Sequence, residues 1–65
     1  MMTLKAFKEQ CGGGGFVLRA AEDIPGFAKK GAPLYGNCDD LTVANWLYQP
    51  LNGIYTVYLK EEVKE

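Results

Sequence analysis

Leu41-Thr42-Val43-Ala44-Asn45-Trp46-Leu47-Tyr48-Gln49-Pro50-Leu51-Asn52-Gly53-Ile54-Tyr55-Thr56-Val57-Tyr58-Leu59 is the stretch on which the fold turns. It admits two readings. As a helix, Leu41, Ala44, Leu47 and Tyr48 share one face. Asn37, Asp39 and Asp40 just upstream are good N-cap types, and Pro50 supplies the stop. As a strand, residues 41–48 pair with Ile54–Leu59 through the Asn52-Gly53 turn, a strong hairpin signal. The cap, the 41/44/48 spacing and the proline favour the helix. Ile54–Leu59 reads as a strand either way, with Tyr55, Val57 and Leu59 on one face and Ile54, Thr56 and Tyr58 on the other.

Upstream of this stretch the signals are local. Thr3 is placed to cap a short helix through Cys11, in which Leu4, Phe7 and Cys11 line one side. Gly12 is a natural stop, because glycine adopts positive φ without a Cβ penalty. Gly12 to Gly15 reads as a hinge or tight turn. The P-loop pattern fails, since Phe16-Val17-Leu18 follows instead of Gly-Lys-Ser/Thr. Phe16 to Asp23 reads as a first strand, Ile24-Pro25-Gly26 as a turn and Lys29-Lys30-Gly31 as a bend. Ala32 to Tyr35 reads as a second strand, at a sheet edge because Pro33 has no N–H.

These elements predict a single α+β domain over residues 1–65, of topology α-β-β-α-β. Two short helices would cover one face of a three-stranded sheet. A split β-α-β connection would set the strand order to 2-1-3, with the first strand in the middle.

Composition narrows the function. The chain has 65 residues, 48% of them apolar, with eight aromatic side chains spread along it, which suits a small core rather than disorder. It contains no histidine and no serine. The commonest general base and the commonest hydroxyl nucleophile are thus missing, which argues against an enzyme. The formal net charge is −1, so no global field selects nucleic acid or an anionic membrane. There is no spanning-length apolar run and no signal-like apolar start, so a cytoplasmic protein is expected.

Cys11 and Cys38 cannot complete a four-ligand zinc site without histidine. They are expected as free thiols in a reducing compartment rather than as a disulfide. Asp39-Asp40 lacks the alternating oxygen ligands of a calcium loop. Glu61 and Glu62, adjacent on a strand, face opposite ways. No catalytic residue, metal or cofactor is assigned.

The expected topology gathers charge. It places Asp39, Asp40, Glu61, Glu62 and potentially Glu65 on one rim, diluted by Lys60 and Lys64. Such a rim can imitate nucleic-acid phosphates or dock a basic groove. The bland alternative is that the aspartates cap a helix and the glutamates keep the tail soluble. Trp46, turned off the helical stripe, and Tyr58, on the strand face opposite Val57, are candidate interface anchors. Trp46 can equally pack over the sheet margin or against Phe7.

Trp46-Leu47-Tyr48-Gln49-Pro50-Leu51-Asn52-Gly53-Ile54 resembles part of a small inhibitor family of T7-like phages that binds bacterial RNA polymerase. In that family too a hairpin precedes a helix ending in a Trp-x-Tyr-x-Pro segment, which leads through glycine to a strand. The N-terminal helix and the glycine run here depart from it, and no functional residue is carried over. In size, α+β pattern and lack of a catalytic set, the chain is also similar to small phage proteins that block host machinery, anti-CRISPR proteins among them. The resemblance implies a steric inhibitor of a bacterial nucleic-acid-handling complex, a CRISPR effector ahead of RNA polymerase. It would act on a protein complex through the acidic rim, as a monomer or weak homodimer. The alternative is an assembly module that self-associates through a sheet edge.

Overall fold

A computed structural model describes residues 2–12 and 15–61. The elements run α1 (Leu4–Cys11), β1 (Gly15–Ala20), β2 (Thr42–Gln49) and β3 (Ile54–Lys60).

The helix forms where local chemistry asks for it. Thr3 Oγ1 accepts a hydrogen bond from the Ala6 N–H at 3.3 Å, and Gly12 ends the helix at φ 70°. Two further N-terminal amides are satisfied from outside. Leu4 N–H donates to Leu41 O and Lys5 N–H to Asp39 O. Leu4 and Phe7 are buried against the sheet.

The central stretch is a hairpin, not a helix. Residues 42–49 form β2, antiparallel to β3, in register from Thr42 opposite Lys60 to Gln49 opposite Ile54. The physical reason is composition and partnership. Thr42, Val43, Trp46 and Tyr48 are strand-favouring side chains, and an eight-residue helix is marginal without strong formers. The long apolar strand β3 is available for pairing. Pro50 lies in the hairpin loop instead of stopping a helix. Gly53 closes that loop at φ 67°, its N–H donating to Gln49 O at 2.8 Å.

Three further expectations fall with the second helix. The sheet order is β1-β3-β2, so the last strand is central and the predicted 2-1-3 order does not hold. β1 runs parallel to β3. Ala32 to Tyr35 is not a strand; it makes one antiparallel bridge, Pro33 to Arg19, along the outer edge of β1. Asp39 and Asp40 do not cap a helix. Asn37 Oδ1 accepts the Asp39 N–H at 3.0 Å and turns the chain into β2. The described residues are therefore α+β, with one helix and three strands in a mixed sheet. The hinge assigned to Gly12–Gly15 includes residues 13 and 14, which lie outside the described residues.

The core sits between α1 and one sheet face, closed by the long 21–41 connection. Leu4, Phe7, Ala20, Ile24, Leu34, Cys38, Val57 and Leu59 are buried together. Ile24 is pinned by a tight turn, exchanging hydrogen bonds with Ala28 at 2.7 and 3.0 Å. The other sheet face has no layer over it among the described residues, and Val17 and Leu47 are exposed there on either side of Thr56.

Candidate protein-contact surface on the hairpin

Register assigns each side chain of the hairpin to a face. Trp46 pairs with Val57 and Tyr48 with Tyr55, so both rings stand on the α1 face. There they join Phe7, Phe16 and Tyr55 in one aromatic cluster. Phe7 contacts Phe16 at 6.1 Å, Trp46 at 5.7 Å and Tyr55 at 5.7 Å between centroids. Phe16 stacks on Tyr55 at 5.6 Å, and Tyr48 lies 4.7 Å from Tyr55. Partial burial, and then the neighbouring Cys11 thiol, push the Tyr55 hydroxyl pKa up.

The cluster is sealed on one side only. Phe7 is buried, whereas Trp46 and Tyr48 are each about half exposed and Leu47 is exposed on the opposite face. Leu51, at the hairpin tip, is fully exposed at 101%. From Leu41 to Leu59 the sequence has no charged residue. That run is the signal that points to this surface, and the helical reading hid it by burying Leu47 and Tyr48.

Backbone direction adds a second property. Leu59 O accepts from the Ala21 N–H on the β1 side. By alternation Val57 and Tyr55 also turn their backbone groups toward β1. Their partners Trp46 and Tyr48 therefore form non-hydrogen-bonded pairs and turn their N–H and C=O outward from the sheet. The outer edge of β2 is covered at its start, where Thr3 bridges Thr42 and Val43 N–H donates to Met2 O at 2.8 Å. After a bulge between Val43 and Asn45, the outward backbone groups of Trp46 and Tyr48 have no backbone partner among the described residues. Asn45 Oδ1 takes the Trp46 N–H locally at 2.8 Å.

The rim residues are placed as follows. Thr42 opposite Lys60 brings Asp39, Asp40 and Glu61 to one end of the sheet. Lys5, Lys8 and Lys60 share that end. Lys8 Nζ lies 3.2 Å from Asp39 Oδ1, and the Lys5 amide bonds Asp39 O. Among the described residues the rim is thus close to neutral, with Asp40 and Glu61 exposed. Glu62 and Glu65 lie outside the described residues. Tyr58 pairs with Asn45 and Arg19 on the face opposite Trp46, so one flat partner cannot grip both rings.

Cys11 is half-buried and Cys38 buried, both as free thiols. Burial pushes the Cys38 thiol pKa up; Lys8 offsets part of this and Asp39 adds to it. A buried thiol held in its neutral form is a poor nucleophile. Among the described residues, no three cysteine or carboxylate side chains gather as a metal site. No helix of the described residues is long and apolar enough to cross a membrane. No protein-family model, curated protein or solved structure matches this chain.

Proposed function

We propose that this chain is a non-enzymatic protein-binding domain that acts by steric contact through the tip of its β2–β3 hairpin. The observation that carries this reading is Leu51. It is a fully exposed leucine on a glycine-closed loop, next to Pro50 and the half-exposed Tyr48. A large apolar side chain held out on a rigid hairpin, with an aromatic neighbour, has the form of an interface anchor. The fold supplies the rigidity, because Tyr48 is braced by Tyr55 and Tyr55 by Phe7.

The inhibitor form of this reading rests on the resemblance set out above. In it, the tip enters a recess on a bacterial nucleic-acid-handling complex, a CRISPR effector ahead of RNA polymerase. Asp40 and Glu61 at the far end of the sheet then contribute orientation rather than affinity, since three lysines neutralise that rim. The test is capture from nuclease-treated bacterial lysate with the wild type, Leu51→Asp and the double reversal Asp40→Lys/Glu61→Lys. A stoichiometric protein partner lost with Leu51→Asp and kept by the double reversal supports the tip. Loss with the double reversal alone returns the contact to the acidic rim. Recovery that vanishes with nuclease makes nucleic acid the ligand.

A further inference from the structure

We infer that the open edge of β2 pairs with β2 of a second copy of this chain, antiparallel about a two-fold axis at Leu47.

The first support is what this edge lacks. Exposed edge strands are ordinarily protected by lysine, by an inward-pointing charge, by proline or by a covering segment. Among the described residues, Asn45-Trp46-Leu47-Tyr48-Gln49 has none of these. The bulge lies before it and Pro50 after it. The other sheet edge is managed. Ala32 to Leu34 runs along β1, with Ala20 N–H donating to Ala32 O at 3.0 Å and Leu34 N–H to Leu18 O at 2.9 Å.

The second support is that the edge is complementary to itself. A two-fold antiparallel pair sets each residue against one whose number mirrors it about the axis. A charged edge would repel its own copy, and this one carries no charge. The limits of the free stretch fix the register. Val43 is already bonded to Met2, and Pro50 has no N–H, leaving Asn45 to Gln49, whose centre is Leu47. That register sets Trp46 opposite Tyr48 of the other copy. These are the two residues whose N–H and C=O point outward, so they can exchange hydrogen bonds. It also sets the aromatic cluster of one copy beside that of the other on the α1 face. Asn45 Oδ1, which holds the Trp46 N–H in the single chain, gives it up to the partner strand.

The experiment is sedimentation velocity across a concentration series, with circular dichroism to confirm folding. The wild type is expected to pass from monomer to dimer mass as concentration rises. Leu47 is exposed on the face away from α1, so Leu47→Lys keeps the fold and sets two lysines together at the axis. It is expected to raise the dimer dissociation constant by about tenfold or more. Val17→Lys places the same charge on the same face at the other edge and is expected to dimerise like the wild type. Mixing Leu47→Lys with Leu47→Glu is expected to restore the dimer mass. A wild type that stays monomeric throughout overturns the proposal, as does equal weakening by Val17→Lys. A charge-swapped mixture that does not pair overturns the register.

Discussion

Tyr48 stands directly across from Tyr55, their ring centroids 4.7 Å apart, the closest contact in the aromatic cluster. Facing residues in a non-hydrogen-bonded antiparallel pair approach more closely than those in a bonded pair. One contact therefore reports both the register of the hairpin and the outward direction of the Tyr48 backbone. It also links the core, through Phe7 and Tyr55, to the surface that Tyr48 shares with Leu51.

Phe7 is the buried centre of that link. Phe7→Ala removes contacts to Phe16, Trp46 and Tyr55 and leaves a cavity under the sheet. A loss of about 3–5 kcal/mol is expected, enough to unfold most of a domain this small. Tyr48→Ala, at a half-exposed site, is expected to lose about 0.5–1.5 kcal/mol for the aromatic pair, plus a smaller burial contribution. Urea unfolding followed by tryptophan fluorescence separates the two.

Gly53 holds φ 67° at the end of the hairpin loop, with open space where a Cβ would be. Gly53→Ala is therefore a test of backbone conformation alone. An expected loss of about 1–2 kcal/mol, with the native circular dichroism retained, checks it. No loss would mean that the loop closes differently.

The Lys8–Asp39 pair looks like the tie between α1 and the chain entering β2, yet both side chains are about 40% exposed (42% and 40%). Exposed pairs contribute about 0–1 kcal/mol and weaken with salt. A double-mutant cycle with Lys8→Ala and Asp39→Ala is expected to give a coupling of that size, reduced at high salt. The tie with more weight is the backbone bonding of Leu4 to Leu41.

Burial raises the Cys38 thiol pKa, so the folded chain holds that proton more tightly than the unfolded chain. Its contribution to stability is complete below the ordinary thiol value, about 8.5, and is lost as pH rises through the raised value. The urea midpoint is expected to fall above that pH, while Cys38→Ala, less stable at neutral pH, shows a flatter alkaline arm. Tyr55 acts in the same direction at higher pH. Thiol titration of the native chain is expected to show Cys11 reacting ahead of Cys38.

What could be read from the sequence was local. Thr3, Leu4, Phe7 and Gly12 mark α1 because cap, buried face and stop all lie within ten residues. Residues 42–49 read as a helix because Leu41, Ala44 and Tyr48 fall by coincidence at helical spacing, and Pro50 suits a helix stop and a hairpin loop equally. The deciding term is pairing with β3, which no local window contains. The same holds for the sheet order: nothing near Ala32 to Tyr35 shows that it makes a single bridge to β1. For the surface, Asp39, Asp40 and Glu61 do lie at one end of the sheet, by hairpin register rather than at a helix start. Lys8 beside Asp39 depends on a contact across 31 positions of chain. Leu51 and Tyr48 do not stand out in the sequence, because a helix buries Tyr48 and leaves Leu51 in a turn.

The most direct test of this account is amide hydrogen exchange along β2, read residue by residue at concentrations where the chain is monomeric. Leu47 and Gln49, bonded into β3, are expected to be protected, and Tyr48, facing outward without a partner, to exchange readily, with Trp46, held only by the exposed Asn45 Oδ1, between them. That alternation would establish the strand, its register and its open edge together. Continuous protection from Ala44 to Gln49, or a helical pattern of exchange, would contradict it.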